Sequence, residues 1–429
     1  MRILFITFFF PPRKAIACVR TAALCKALLE AGHAVHVLTS EDRSQSADFA
    51  NDRLLGDATP AGRLRITRVR SWWHDLHDGP GFRKAQGLLG KTWAFWTRVV
   101  ARLLELAGFD SVAPWAMAAR TKVGCDARYD CVLVSAGPFS TLFAGLAAAR
   151  GMGIPLILDY RDVWNDTPHT ALRCSTRWLE RMILRRSALV VSISPSCLES
   201  IVGNVAVPRM VVTNGISEDV IQLAGNLPPP EGRRLVYAGA FYPPKRSFEP
   251  IAAALATLQG RNASRHRVAC SYLGPSTDYV QEVAERHELG DAVQTTGAVS
   301  RRESLLAQAG SLCTIVVTSI EKTCCLADRG IVTGKLFEAI ALAPWVLVIS
   351  PIDSDVRALT AGMPHVRHFH GGEVQAIADW LAEIAAVSPR RPSSECWQSF
   401  TWPLLGRRFA TAVEAAVAQS PKLQSGVPA

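Results

Sequence analysis

The chain has 429 residues, of which 49% are hydrophobic and 20% are charged. This length predicts two or three domains, and this balance of residues excludes a disordered or fibrous protein. The net charge of +10 at pH 7 is concentrated between residues 61 and 122, where basic residues far outnumber acidic ones.

Short apolar runs alternate with helical periodicity through the first half of the chain. The run after Met1-Arg2 is too short for a signal sequence and stops at Pro11-Pro12, so we expect a buried first strand. A helix is predicted over residues 20–31. Because most of the runs lack polar alternation, they indicate a parallel α/β sheet with strands at residues 3–8, 34–39, 64–69, 131–135, 156–159 and 188–193.

A second series of the same kind follows a proline-rich linker at residues 226–231. Its predicted strands are residues 235–237, 268–273, 292–295, 312–317 and 346–349, and its predicted helices are residues 250–259, 277–287 and 335–341. Two doubly wound sheets are therefore expected, facing a cleft. Since ligands of open α/β sheets bind beyond the carboxyl ends of the strands, we look for function in the loops that follow strands.

The cysteines give no sign of disulfide or metal chemistry. Eleven of them are scattered along the chain without a CxxC pair, which favours a reducing compartment. The adjacent Cys324 and Cys325 have no His or second Cys pair at ligand spacing, so no metal site is expected. No stretch is apolar and long enough to span a bilayer, and we expect a soluble cytoplasmic protein.

The loop after the strand at residues 235–237 is a candidate phosphate site. Gly239 at the strand end lets the backbone approach a ligand, and Lys245 six residues later can place its ammonium group on a phosphate. Alone, such a lysine is more often an ordinary solvated side chain. Glu338 is a candidate for binding a ribose or sugar diol, because one carboxylate can accept two hydrogen bonds. The alternative is a glutamate that complements a helix dipole.

Three charged residues directly follow the strand at residues 156–159. Asp159, Arg161 and Asp162 precede Trp164, and charge so close to a core is costly unless it is paired or functional. Aromatic and polar groups together commonly line sugar sites. The segment therefore either forms a structural Asp–Arg pair or contributes Arg161 or Asp162 to a binding site.

The order and spacing of these motifs resemble the retaining glycosyltransferases of family 4, over roughly residues 1–418. The matching stretches are Phe9-Phe-Pro-Pro12 with the segment from Gly32 to Ser40, Asp159-Tyr-Arg-Asp-Val-Trp164, Asn214-Gly215, Gly239 with Lys245, and Gly334-Lys-Leu-Phe-Glu338. The closest resemblance is to a bacterial surface-polysaccharide subgroup. It implies the GT-B fold, with an acceptor-side domain at residues 1–215, a donor-binding domain at residues 216–403, and a helix at about 404–418 that returns to the first domain.

The resemblance also implies roles for individual residues. Lys245 is expected to contact the donor diphosphate and Glu338 the ribose or donor sugar, and both are predicted to be catalytic. The other expected donor-binding residues are Gly239, Arg246, Asn214, Gly334, Lys335 and Leu336. The expected acceptor-side residues are Pro12, Arg13, Arg20, Gly137, Pro138, Asp159, Arg161, Asp162 and Trp164.

Some positions depart from the family pattern. Ala240 stands where an arginine often follows the phosphate-loop glycine, and Arg246 is a candidate substitute. The glycine pair usual in the first loop is absent, and Gly330 and Ser217 replace two customary acidic residues. A catalytically inactive protein that binds a nucleotide sugar, or acts as a membrane-associated assembly component, is therefore the alternative to an active enzyme.

The expected reaction transfers a sugar from a nucleotide-sugar donor, which is a substrate rather than a cofactor, with retention of anomeric configuration. The resemblance implies no metal and no protein nucleophile. The acceptor class stays open among a polysaccharide, a lipid-linked glycan and a small molecule.

A basic, tryptophan-rich segment at residues 83–102 is the candidate contact with an anionic membrane. An amphipathic basic helix with tryptophans lies readily in such an interface, but the same residues are equally suited to packing on the first sheet. A nucleic-acid surface is disfavoured because no recognition module is recognisable. An oxidoreductase is disfavoured because Pro11-Pro12, not GxGxxG, follows the first strand.

Overall fold

The computed structural model describes residues 1–13, 17–41, 62–70, 99, 110, 112–123, 128–165, 173–226, 233–260 and 268–420. The chain divides into two compact units. The N-terminal unit comprises Met1–Val212 and Pro403–Ala429, and the C-terminal unit comprises Thr213–Trp402. The sequence-based boundaries were placed after residues 215 and 403; the compact units divide after residues 212 and 402.

The N-terminal unit is built on a parallel sheet of seven strands in the order β3-β2-β1-β4-β5-β6-β7. Every neighbouring pair in it is parallel. The strands are β1 (Arg2–Thr7), β2 (Ala34–Ser40), β3 (Leu64–Val69), β4 (Cys131–Ala136), β5 (Leu156–Tyr160), β6 (Leu189–Ser192) and β7 (Arg209–Val211). The order reverses between β1 and β4, which is where such sheets bind ligands.

The described helices of this unit are α1 (Ala17–Glu30), α2 (Ala113–Thr121), α3 (Ser140–Met152), α4 (Arg173–Leu184) and α5 (Pro195–Val202). The last helix, α14 (Trp402–Gln419), also packs here. Its Gly406 approaches so closely that a Cβ there would lie 2.6 Å from Cβ of Ala27 on α1. Glu414 pairs with His33 at 2.9 Å. The end of the chain is therefore anchored to the first βαβ unit.

The C-terminal unit has a parallel sheet of six strands in the order β10-β9-β8-β11-β12-β13. The strands are β8 (Arg234–Ala238), β9 (Ala269–Leu273), β10 (Val293–Gly297), β11 (Cys313–Val317), β12 (Trp345–Ile349) and β13 (Val366–Phe369). The helices are α6 (Glu218–Asn226), α7 (Glu249–Gly260), α8 (Thr277–Arg286), α9 (Arg301–Ala309), α10 (Leu326–Arg329), α11 (Gly334–Leu342), α12 (Asp355–Leu359) and α13 (Val374–Ala386). Short 3₁₀ turns span Gly290–Ala292, Ser394–Cys396 and Gln398–Phe400.

Both faces of this second sheet are covered. On β11, Ile315 packs with one apolar cluster and Val316 with another, because successive side chains of a strand point to opposite faces. The first cluster includes Ile251 of α7, and the second includes Phe337 of α11. The strand order reverses between β8 and β11, so the loops after these two strands meet at the switch point.

The predicted α/β architecture with two doubly wound parallel sheets is confirmed. All eleven predicted strands are present, as are the four helices predicted from periodicity and the helix implied at about residues 404–418. The sequence analysis missed β7 and β13, which have three and four residues. Buried strands were predicted from uninterrupted apolar runs. Polar residues interrupt both of these strands: Arg209 begins β7, and Arg367 and His368 lie within β13.

A buried ion pair ties α1 to the carboxyl end of β5. Arg20 and Asp159 are 2% and 0% exposed. Nη2 of Arg20 donates to Oδ1 of Asp159 at 2.6 Å, and Nη1 donates to the Val212 carbonyl at 2.9 Å. The Ser135 hydroxyl donates to Oδ2 of the same carboxylate at 3.1 Å. Such a pair adds little net stability while it is intact, but removing one partner leaves the other charge buried and unpaired.

Asp159→Asn should therefore lower the free energy of unfolding by about 3 to 5 kcal/mol, because Arg20 would keep its buried charge without a carboxylate. Urea unfolding measures this change. The matched control is Glu282→Gln, which breaks an exposed pair with Arg286 on α8 and should cost at most about 1 kcal/mol. A D159N protein as stable as the wild type would contradict this account of the pair.

Candidate functional site

The loop after β8 turns back on itself directly beyond Gly239. Tyr242 and Arg246 exchange backbone hydrogen bonds of 2.9 and 3.0 Å, so the chain between them forms a tight turn that carries Lys245. The Tyr237 hydroxyl donates to the Ala240 carbonyl at 3.1 Å. A side chain of β8 therefore stabilises the loop that follows this strand.

Lys245 is engaged by a carboxylate of the same unit. Its ammonium group pairs with Asp328 on α10, and its side chain remains 48% exposed. The hydrogen bond that Lys245 donates to Asp328 raises the pKa of Lys245 above its ordinary value. The Lys245 carbonyl accepts a hydrogen bond from the amide of Ile320 at 2.8 Å. The loops after β8 and β11 are thus joined, and the lysine is cationic at their junction.

Lys335, in the first turn of α11, lies against the loop glycine. Gly239 has φ of +131°, and a Cβ at this position would lie 1.5 Å from the Lys335 Nζ. The ammonium group also stands 5.4 Å from the ring centroid of Tyr237. Burial lowers the pKa of Lys335 to about 8, an effect that Glu338 opposes and Arg246 reinforces. The backbone angle favours glycine at 239, and any side chain there would displace the end of the Lys335 side chain.

Glu338 is paired with an arginine that the sequence analysis missed. The Arg301 guanidinium donates to the Glu338 carboxylate, to the Ser217 hydroxyl at 3.1 Å and to Asp219 at 3.4 Å. Burial lowers the pKa of Arg301, but Glu338 and Asp219 together raise it above its ordinary value. The Glu338 side chain, 13% exposed, is therefore fixed in orientation.

A signal for Arg301 was present in the sequence. Ser300 and Glu303 form a capping box that starts α9, which makes Arg301 the first residue of that helix. Cations are disfavoured at a helix amino terminus. An arginine there indicates a nearby carboxylate.

The other predicted donor-side residues lie around this edge in different ways. Asn214 donates to the Val332 carbonyl at 3.3 Å and so holds the segment before α11. Arg246 donates to the Thr318 carbonyl at 3.2 Å and stands over the Tyr242 ring. Gly334 is the first residue of α11. Leu336 is fully buried in the core, so its side chain supports the helix rather than facing solvent.

In the N-terminal unit, the loops after β1, β4 and β5 carry a second group of predicted residues. Arg161 donates to the carbonyl of Gly137 and stands 5.5 Å from the Phe9 ring centroid. Gly137 has φ of +92°, and a Cβ there would lie 3.8 Å from the Asp162 carboxylate. Arg13 lies over the Phe8 ring at 4.5 Å. Burial lowers the pKa of Arg161. Pro12 and Pro138 belong to the same loops.

Three predicted acceptor-side residues support these loops from within. Arg20 and Asp159 form the buried pair described above. Trp164 is 6% exposed and stacks on Phe139 at 5.5 Å, with Phe143 edge-on at 5.8 Å. The charged groups of Arg20 and Asp159 and the ring of Trp164 are buried inside the unit. These side chains therefore support the loops and do not form their exposed surface. Direct contact of these three with an acceptor stays a prediction.

One prediction cannot be compared with the fold. The basic segment at residues 83–102, apart from the backbone of residue 99, lies outside the described residues. Within the described ranges, no helix is long and apolar enough to cross a membrane. In the same ranges, no group of three or more His, Cys, Asp or Glu side chains is placed to hold a metal ion.

Residues 18–215 match the family of the glycosyl transferase 4-like domain. This confirms the resemblance for that part of the chain, which contains the Arg20–Asp159 pair and the loops with Gly137 and Arg161. No curated protein matches the sequence significantly.

Solved structures extend the likeness to the whole chain. A glycosyltransferase from Rickettsia africae ESF-5 is 14% identical with a TM-score of 0.61, covering 98% of this chain and 99% of its own. Anabaena Alr3699/HepE, solved in complex with UDP and glucose, is 16% identical with a TM-score of 0.59, covering 97% and 100%. The α,α-trehalose-phosphate synthase (UDP-forming) from Burkholderia vietnamiensis is 12% identical with a TM-score of 0.59, covering 97% and 98%. The chain therefore has the GT-B fold over its full length, and residues 18–215 of it are similar to the glycosyl transferase 4-like domain.

Replacing the loop glycine should disturb the site. Gly239→Ala places a side chain on a backbone conformation that L residues rarely adopt and displaces the end of Lys335, so we expect backbone strain to lower the free energy of unfolding by about 1 to 3 kcal/mol. Gly225→Ala, in the exposed part of α6 with open space around it, is the control and should gain up to about 1 kcal/mol. Equal stability of G239A and wild type would show that the loop has no such constraint.

Proposed function

We propose that the protein is a retaining glycosyltransferase that takes a sugar from a nucleotide-sugar donor held by its C-terminal unit. The observation that carries the proposal is that Lys245 and Glu338, each paired with another side chain, lie in the segments that follow β8 and β11, where the strand order of the sheet reverses. A diphosphate needs the cation, and a ribose or sugar diol needs the carboxylate. The similarity of residues 18–215 to the glycosyl transferase 4-like domain supports the same reaction class.

The donor is proposed to be a nucleoside diphosphate sugar. The Anabaena structure contains UDP and glucose, and the Burkholderia enzyme is named as UDP-forming, so uridine nucleotides are the first candidates. These names describe those proteins, and their low identity leaves the base and the sugar of this donor to experiment.

In the proposed reaction, Lys245 moves from Asp328 to the β-phosphate of the donor. Its fixed positive charge stabilises the negative charge that develops on the leaving diphosphate. Glu338, oriented by Arg301, accepts hydrogen bonds from hydroxyl groups of the ribose or the donor sugar. The departing phosphate oxygen takes the acceptor's proton, so neither a protein nucleophile nor a metal is required, and the anomeric configuration is retained.

The acceptor is proposed to bind the loops that carry Arg13, Gly137, Arg161 and Asp162 in the N-terminal unit. Backbone carbonyls, a guanidinium and a carboxylate lie there beside Phe9, and this mixture suits sugar hydroxyls. A polysaccharide, a lipid-linked glycan and a small molecule remain alternative acceptor classes.

A catalytically inactive protein that binds a nucleotide sugar remains the second candidate. The observation in its favour is that Ala240 stands where the family often has an arginine, so the phosphate loop has one cation fewer. Turnover of a nucleotide sugar distinguishes it from an enzyme.

Attachment to the cytoplasmic face of a membrane is part of the proposal. Besides the segment at residues 83–102, helix α4 exposes Arg177, Trp178 and Arg181. Basic residues with an exposed tryptophan suit an anionic lipid interface. We expect the protein to co-sediment with vesicles that contain anionic lipid and to be released by high salt. Failure to bind such vesicles at low salt would contradict membrane attachment.

Lys245→Ala should lower turnover at least about a hundredfold, because one electrostatic contact to developing charge is commonly worth a few kcal/mol. NMR of the reaction measures the amount of product and its anomeric configuration together. We expect the wild type to give product with the anomeric configuration of the donor.

The matched control is Lys122→Ala, which removes a lysine at the exposed end of α2 and should leave turnover unchanged. Near-normal activity of K245A would overturn the role of Lys245. A product of inverted configuration would overturn the retaining mechanism.

A further inference from the structure

Among the described residues, the Lys335 ammonium forms no hydrogen bond or ion pair. It stands over the face of the Tyr237 ring, and Glu338 on the same helix attracts it electrostatically without pairing with it. The side chain is only partly exposed. Burying a charge without pairing it costs free energy. Lys335 has such a charge beside the loop that is proposed to hold a phosphate.

The three cations at this edge differ in what holds them. Lys245 is paired with Asp328, and Arg246 donates to the Thr318 carbonyl and stands over the Tyr242 ring. Both are therefore engaged by the protein itself. Lys335 alone among the three has neither a carboxylate nor a carbonyl partner in the described part of the chain.

The position of Lys335 relates directly to the missing arginine. Its Nζ occupies the volume that a Cβ at residue 239 would need, next to Ala240. The lysine thus brings a charge from α11 to Gly239, the residue directly before the position where the family often has an arginine. Arg246, the substitute considered from the sequence, is turned toward Thr318 instead.

We propose that Lys335 supplies the second cation for the donor diphosphate, in place of the arginine that Ala240 replaces. The inference rests on the proposed function, since it concerns the same donor. It assigns Lys245 and Lys335 to the diphosphate as a pair, one approaching from the β8 loop and the other from α11.

If Lys335 contacts the diphosphate, the protein should take up a proton at Lys335 when the nucleotide binds. The groups around Lys335 are Glu338 on its own helix, Arg246 from the loop and Tyr237 from β8. Burial holds the pKa of Lys335 at about 8 in the free protein, and a bound diphosphate would raise it. Affinity should therefore be highest where Lys335 is already protonated, below that pKa, and should fall as the pH rises above it. From pH 7 to pH 9 the Kd should increase about tenfold.

Isothermal titration at both pH values tests the inference, with the tightest binder among UDP, GDP, ADP and dTDP as the probe. At pH 9 the binding enthalpy should vary with the ionisation enthalpy of the buffer, which reports the proton taken up. This measurement on the wild type needs no variant.

Lys335→Met keeps most of the side-chain length and removes the charge. We expect it to weaken binding about 10- to 100-fold at pH 7 and to abolish the proton uptake at pH 9. Arg246→Met is the comparison variant and should retain the proton uptake. Thermal unfolding of each variant checks that it is folded.

The outcomes separate the inference from the proposed function. Absence of binding of all four nucleotides to the wild type would overturn both. Wild-type binding with an unchanged Kd and proton uptake in K335M would overturn only the inference. Loss of the proton uptake in R246M, with K335M unaffected, would assign the missing cation to Arg246 instead.

Discussion

The contact between Gly239 and Lys335 is the constraint on which the candidate donor site depends. The lysine fills the space of a side chain at residue 239, and the glycine has a backbone angle that other residues rarely adopt. The Lys335 side chain, which starts from the first turn of α11, therefore lies against the end of β8. Because Glu338 lies three residues after Lys335 on the same helix, its carboxylate is brought to the same edge, where Arg301 orients it.

In the N-terminal unit, a buried ion pair supports the charged loops. These loops lie directly beyond buried strands, where unpaired charge is expensive. Arg20 and Asp159 satisfy each other inside the unit, together with Ser135 and the Val212 carbonyl. This leaves Arg161 to hold the Gly137 carbonyl and to cover Phe9. One buried pair thus supports a neighbouring set of polar groups at the surface.

Much of the fold was predictable from sequence, because strands buried on both faces appear as uninterrupted apolar runs. The short strands β7 and β13 were missed because Arg209, Arg367 and His368 interrupt that pattern. The positions of Gly239, Lys245 and Glu338 after strands were also predictable. What each side chain contacts was not, since Asp328 lies 83 residues from Lys245 and Arg301 lies 37 residues from Glu338. Periodicity and spacing along the chain carry no information on such pairings.

The central claim is that the C-terminal unit binds the diphosphate and ribose of a nucleotide sugar at the ends of β8 and β11. A crystal structure of the protein with a bound nucleoside diphosphate tests this most directly. The account predicts diphosphate oxygens within hydrogen-bonding distance of the Lys245 ammonium, and a ribose hydroxyl on the Glu338 carboxylate. A nucleotide bound with neither residue in contact, or bound to the N-terminal unit alone, would contradict it.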